Sequence, residues 1–179
     1  MKVFQLENNW SIDNLRITER SKPVAGPGQL LLKIRAASLN YRDLVVLKRG
    51  YGLNTGNLPL IPVSDGVGEI MKVGKGCSKD LLGKRVCPMF MPKWIRGLPN
   101  RDSITSTFGG PIDGLMTEYL VINEESVVEV PEYLNDFEAS TLPCAALTAW
   151  SALVSEGKVK RGDKVVIQGT GGEIGRAHV

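Results

Sequence analysis

The chain has 179 residues, 42% of them hydrophobic and 23% charged, a composition that supports a packed core and excludes a disordered polymer. Its 22 basic and 19 acidic residues are mixed along the chain and leave a net charge of +3, so a nucleic-acid surface is not expected. The opening MKVFQLENNW has no long apolar stretch, and the longest mostly apolar run, Leu142 to Val154, falls short of the roughly 20 residues that cross a bilayer. Neither a leader nor a membrane anchor is therefore expected, and the protein is placed in the cytoplasm.

Up to about residue 130 the pattern is of short strands between turns. LRITER (Leu15 to Arg20) alternates with period two, and Pro23, Gly26, Pro27 and Gly28 then break the chain. QLLLKIRAASL (Gln29 to Leu39) predicts a longer strand, buried on both faces where three leucines run together. YRDLVVLKRG (Tyr41 to Gly50) predicts a short helix closed by Gly50. In LPLIPVSDGVGEIMKVG (Leu58 to Gly74) two prolines precede a strand whose Gly66 and Gly68 mark a bend or a close backbone approach. KRVCPM (Lys84 to Met89) and LMTEYLVI (Leu115 to Ile122) are further strands, and between them lies a long loop, Pro92 to Gly114. The basic window Lys93 to Arg101 within it reads as a solvated loop. Many short strands with glycine corners predict a small, partly open β-barrel.

After residue 130 the pattern becomes helical. Asn135 and Glu138 form a capping box at the head of Asn135 to Lys158, Pro143 divides or kinks the segment, and Gly157 ends it. KRGDKVVIQG (Lys160 to Gly169) then predicts a turn and a short buried strand, VVIQ. A helix, a strand and a glycine turn open a βαβ unit.

GTGG, Gly169 to Gly172, comes directly after that strand. Glycine permits a tight turn and lets the backbone approach a diphosphate at a helix N-terminus. A third glycine is expected at position 174, where Ile174 stands, so an ordinary hairpin turn competes with the phosphate loop. No metal site is expected: the single histidine is His178, and Cys77, Cys87 and Cys144 are widely spaced and read as three buried structural thiols. Asn40 to Asp43, NYRD, sits where a strand meets a helix. It reads either as a helix cap or as a polar cluster lining a substrate cleft.

Six stretches in order carry a family resemblance: AASLNYRDL (Ala36 to Leu44), PVSDGVGEIMKVG (Pro62 to Gly74), GKRVCP (Gly83 to Pro88), DGLMTEYLVI (Asp113 to Ile122), LPCAALTAWSAL (Leu142 to Leu153) and GDKVVIQGTGG (Gly162 to Gly172). Together they resemble the zinc-free, quinone-reductase-like branch of the medium-chain dehydrogenase/reductase superfamily. The resemblance implies a mixed fold: a GroES-like partly open β-barrel over 1–124, then over 125–172 connecting helices and the first helix and strand of a truncated Rossmann α/β domain. It implies hydride transfer between a nicotinamide cofactor, usually NADP with NAD as the alternative, and a small-molecule quinone, enone or other carbonyl compound, in a whole enzyme that is commonly a homodimer. It implies catalytic positions at Asn40, Tyr41, Asp43 and Tyr51, a threonine beside the nicotinamide at Thr148, and a diphosphate loop at Gly169, Thr170, Gly171 and Gly172. Zinc-using relatives have a Cys where Asn40 stands and a His where Ser64 stands. Their third ligand matches Cys144, so two of three ligands are absent and no zinc is expected.

EIGRAHV, Glu173 to Val179, departs from the family pattern. It translates in frame from a string that matches, from its second base, the start of a sequencing-library adapter, so 173–179 are expected to be a non-native tail. On this expectation the chain is a fragment that by itself neither binds a dinucleotide well nor turns over. Two other readings stay open: a stand-alone GroES-like barrel that binds without catalysis, and a zinc-dependent alcohol dehydrogenase.

Overall fold

A computed structural model describes residues 1–168. Among the described residues, seven strands form two antiparallel sheets. β1 (Lys2–Leu6) pairs with β2 (Leu15–Glu19), and a five-stranded sheet has the order β6-β3-β4-β5-β7, with β3 at Gln29–Ser38, β4 at Asp65–Val73, β5 at Arg85–Pro88, β6 at Tyr119–Asn123 and β7 at Val127–Glu129. The small sheet is tied to the segments that lead into β6 and β4, by Phe4 N–H to Met116 O at 2.8 Å and by reciprocal bonds between Leu6 and Leu60. The result is the partly open barrel that the strand pattern predicts.

β3 is the organising strand, because it pairs with β4 on one side and β6 on the other. Leu30, Leu31 and Leu32 are all buried, as their unbroken run implies. Leu30 and Leu32 join Ile70, Val86, Phe108, Leu115 and Ile122 in the barrel core. A second cluster, Val67, Cys87, Val130 and Ala139, packs α3 (Asp136–Ser140) against the outside of the sheet. Asp136 fastens α3 there, accepting from Arg85 Nη1 at 3.0 Å and Arg35 Nε at 3.5 Å. The capping box predicted at its head is present: Glu138 N–H donates to Asn135 Oδ1 at 3.0 Å, and Asn135 N–H to Glu138 Oε2 at 2.9 Å.

The strand glycines have the role expected of them. A Cβ on Gly66 would lie 2.7 Å from Ala36 O and 2.8 Å from Leu115 Cδ2, so β3 and β4 approach too closely for any side chain. Gly66→Ala is expected to lower stability by about 1–3 kcal/mol through overpacking. Urea unfolding measures it, and an unchanged midpoint would contradict the close approach.

Several expectations need correction. α1 (Tyr41–Leu47) does form, but Gly50 does not close it by a left-handed turn: Arg49 takes that conformation, with φ 52°. Gly50 is needed for space instead, since a Cβ there would meet Val45 Cγ1 at 2.5 Å. Gly157 does end the helical segment as its C-cap, but with φ −70°, and Lys158 takes the left-handed φ of 50°. LMTEYLVI becomes a strand only from Tyr119, because the backbone N–H groups of Leu115 and Met116 donate to Val63 O and Pro62 O. The long loop contains a short helix, α2 (Arg101–Ile104), with its own capping box from Asn100 and Ser103. The helical segment breaks at Thr141, and Pro143 sits in the first turn of the next helical stretch. That stretch has π geometry over Leu142–Ala146, becomes α4 (Leu147–Trp150), and returns to π geometry over Ser151–Glu156. VVIQ is neither a strand nor buried. Val165, Val166 and Ile167 are exposed, because among the described residues no strand lies beside them to pair with. Of the three cysteines only Cys87 is buried; Cys77 and Cys144 are partly exposed.

Candidate active site

The site is built where β3 ends, α1 begins and β4 starts. α1 starts at Tyr41 because Asn40 has extended backbone and Asp43 reaches back to it: Asn40 N–H donates to Asp43 Oδ2 at 2.7 Å. The cap reading of NYRD is therefore correct, and it buries the Asp43 carboxylate. Arg42, beside it, donates to Phe108 O at 3.0 Å and Gly110 O at 3.1 Å, tying α1 to the long loop.

Facing this cap is Asp65, fully buried at the first position of β4. The sequence reading assigned it no role. Asp65 Oδ1 accepts from the Ser64 hydroxyl at 3.0 Å, and Oδ2 accepts from the Cys144 N–H at 2.9 Å. The Asn40 amide also lies beside it and favours its charged form, yet Nδ2 makes no hydrogen bond of ordinary geometry. Val63, two residues earlier, has φ 74°, a left-handed conformation that is strained for a β-branched residue. That turn delivers Ser64 and Asp65 inward, and it is held by Leu115 N–H on Val63 O at 2.8 Å.

Burial raises the pKa of both Asp65 and Asp43 above 3.8; nearby donors oppose this, and at Asp65 the charge of Asp43 adds to it. A carboxylate with a raised folded pKa keeps its proton where the unfolded chain has lost it. Its contribution to stability is then present at low pH and lost as pH rises from about 3.8 through the raised value. Asp65→Asn keeps an acceptor for Cys144 and removes the charge. It is expected to gain stability relative to the parent chain between pH 4 and pH 7, measured as urea midpoints at both values. A relative loss at pH 7 would contradict the sign.

On the far side of Cys144 lies a cavity of about 710 Å³. Met89, Phe90 and Trp94, following β5, form one wall, and Leu142, Pro143 and Leu147 form the other. Cys144 and Thr148 line it too, so Asp65 holds the backbone of one wall from behind. Cys87 lies at its edge, but burial and the nearby Asp65 charge push its thiol up to about 12, and it donates to Ala139 O at 3.2 Å. It is a packing thiol and not a nucleophile.

The structure brings Asn40 and Asp43 together and places Thr148 on the cavity wall. Asn40, Tyr41, Asp43 and Tyr51 do not line the cavity. Tyr41 and Tyr51 are exposed, and neither hydroxyl has a hydrogen-bond partner among the described residues. Gly169, Thr170, Gly171 and Gly172, and the tail 173–179, lie outside the described residues. Besides Asp65, sequence reasoning missed the cavity wall at Met89, Phe90 and Trp94. The only available signal for Asp65 was one carboxylate between PVS and GVG in a strand otherwise fit for burial. The donor set does not suit zinc. Asn40 and Ser64 offer only an amide and a hydroxyl, and among the described residues no three His, Cys, Asp or Glu side chains converge on a point. No described helix is long and apolar enough to cross a membrane.

Comparison with known proteins decides the family. The pattern of the alcohol dehydrogenase GroES-like domain matches residues 26–132. The chain belongs to this family. A zinc-type alcohol dehydrogenase-like protein of Schizosaccharomyces pombe is 40% identical over 163 residues, covering 89% of this chain and 47% of that protein. A crystal structure from Sinorhizobium meliloti 1021, described as an alcohol dehydrogenase, superposes with TM-score 0.85 at 40% identity, over 94% of this chain and 50% of its own. The quinone oxidoreductase of Coxiella burnetii superposes with TM-score 0.69 at 26% identity, over 91% and 47%. These homologues are oxidoreductases of the medium-chain superfamily, and this chain spans about half their length. The GroES-like domain is thus the barrel, and the helical segment after Asn135 forms one side of its cavity.

Proposed function

We propose that this chain is the barrel half of a zinc-independent, NAD(P)H-dependent oxidoreductase that reduces a quinone, enone or similar carbonyl compound. The observation that carries the reading is the 710 Å³ apolar cavity, walled on one side by the arm that bears Thr148 and set against the Asn40–Asp43–Asp65 cluster. Cavities of this size and lining suit small organic substrates. A nicotinamide dinucleotide, when bound, supplies the hydride.

The chain's own residues supply position and polarity. Thr148 lines the cavity and would be one of the residues that hold the nicotinamide. Asp65 fixes the arm through Cys144 and borders the Asn40 side chain, whose amide favours its charged form. Asn40, with Tyr41 or Tyr51, lies outside the cavity lining and would donate to a substrate oxygen that reaches past that lining toward the head of α1, as negative charge develops there. The apolar walls exclude water and hold the two reactants together. Support for this assignment is the place of the Asn40 side chain beside the buried Asp65, at the head of α1. The test is NADPH oxidation by the complete protein with a quinone, alongside metal analysis. Turnover without stoichiometric metal fits the reading, and turnover that needs bound zinc overturns it.

A further inference from the structure

The segment after β5 has no cysteine between Met89 and Thr117, so no disulfide holds it. It is held instead by hydroxyls and its own indole. Ser126 Oγ donates to Pro92 O at 2.7 Å, and Lys93 N–H donates to Ser106 Oγ at 3.2 Å. Ser106 Oγ in turn donates to Ser103 O at 2.6 Å. All three serines are buried. Trp94 N–H donates to Met91 O at 2.9 Å, and its indole Nε1–H donates to Gly97 O at 2.9 Å. The indole thereby spends its one donor inside its own turn. What it turns toward the cavity is an apolar ring held in place.

We propose that Trp94 is a specificity-determining residue of this site: its fixed ring, opposite Leu142 and Leu147, selects planar, ring-bearing carbonyl compounds over short aliphatic ones. The proposal rests on the functional reading above and names what that site prefers. The physical reason is contact area. A flat bicyclic ligand lies against an indole and the neighbouring Phe90 and Met89 over most of its surface, whereas a short aldehyde leaves most of a 710 Å³ space unfilled. The indole carries no free donor, so it discriminates by shape and area and not by hydrogen bonding. Arg42 lies over the Phe90 ring with its guanidinium carbon 4.9 Å from the ring centre, which limits the movement of the adjoining wall.

Trp94 is also its own reporter. The chain has three tryptophans, Trp10, Trp94 and Trp150, and only Trp94 lines the cavity. The experiment titrates the 179-residue chain with 2-methyl-1,4-naphthoquinone and, separately, with butanal, following tryptophan emission and checking the fold of each variant by circular dichroism. The expected result is saturable quenching by the naphthoquinone that survives Trp10→Phe and Trp150→Phe and disappears in Trp94→Phe. Equilibrium dialysis is expected to show Trp94→Phe binding within about threefold of the parent, because a flat ring remains, and Trp94→Ala binding about tenfold more weakly. Butanal is expected to bind weakly to every variant. Quenching that persists in Trp94→Phe, an unchanged affinity in Trp94→Ala, or butanal binding as tightly as the naphthoquinone would each overturn the assignment. If Trp94→Ala does not fold, the Trp94→Phe quenching result decides alone. Failure of the complete protein to oxidise NADPH while the quinone still binds at Trp94 would overturn the proposed reaction and leave the assignment of Trp94 standing.

Discussion

Replacing Leu32 by alanine is expected to lower the free energy of unfolding by about 2–5 kcal/mol. Leu32 is fully buried and lies at the centre of the barrel core with Leu30, Ile70, Val86, Phe108, Leu115 and Ile122. Its strand is bonded to β4 and β6 at once, with Leu32 opposite Ile70 on one side and Leu120 on the other. A strand held on both edges cannot move inward to fill the space that three lost carbon atoms leave, so the effect should lie well above that of transfer alone. Ile17→Ala is the control: Ile17 is 62% exposed on the small sheet, and its removal should change stability by less than about 0.5 kcal/mol. Urea unfolding of both variants checks the pair. Equal losses would mean that the core is not where the strand pairing puts it.

Asn40→Ala in the complete protein is expected to lower kcat more than about tenfold with the fold intact. The cap at the start of α1 is a reciprocal box between Asn40 and Asp43, so alanine at position 40 keeps the 2.7 Å bond from its backbone N–H to Asp43 Oδ2 and loses the half made by the Asn40 side chain. Alanine also removes the side-chain amide that lies beside Asp65 and favours its charged form. A donor that acts only as charge develops on substrate oxygen contributes to kcat rather than to substrate binding, so KM should change little. Steady-state kinetics with a quinone would decide this. An unchanged kcat would remove Asn40 from the mechanism and leave Tyr41 and Tyr51 as the remaining donors.

Much of the fold was legible because it depends on neighbours in sequence. The triple leucine of β3, the glycines of β4 and the capping box of α3 are local statements about which backbone states and faces a short stretch can satisfy. Where a local signal was misassigned, the error was in mechanism: Gly50 and Gly157 are required for close packing, while Arg49 and Lys158 take the left-handed turns. VVIQ shows the limit of apolar runs as evidence. A run fit for a buried strand forms one only when other strands lie beside it, and among the described residues none does.

The site was legible only in part. The pattern NYRD by itself indicated a helix cap, and the cap is present with a 2.7 Å bond. The expectation that zinc is not used also came from the sequence alone, from Asn40 and Ser64 standing where zinc-using relatives have ligands. The burial of Asp65 and its bond to Cys144, 79 residues away, were decided by tertiary structure, as was the meeting of the segment after β5 with the arm from Leu142 to Thr148 around one cavity. No local pattern encodes such contacts. They exist because the strained turn at Val63 and the packing of α3 on the sheet bring distant segments together, and burial then gives an ordinary carboxylate its raised pKa and an ordinary loop tryptophan its place in the wall.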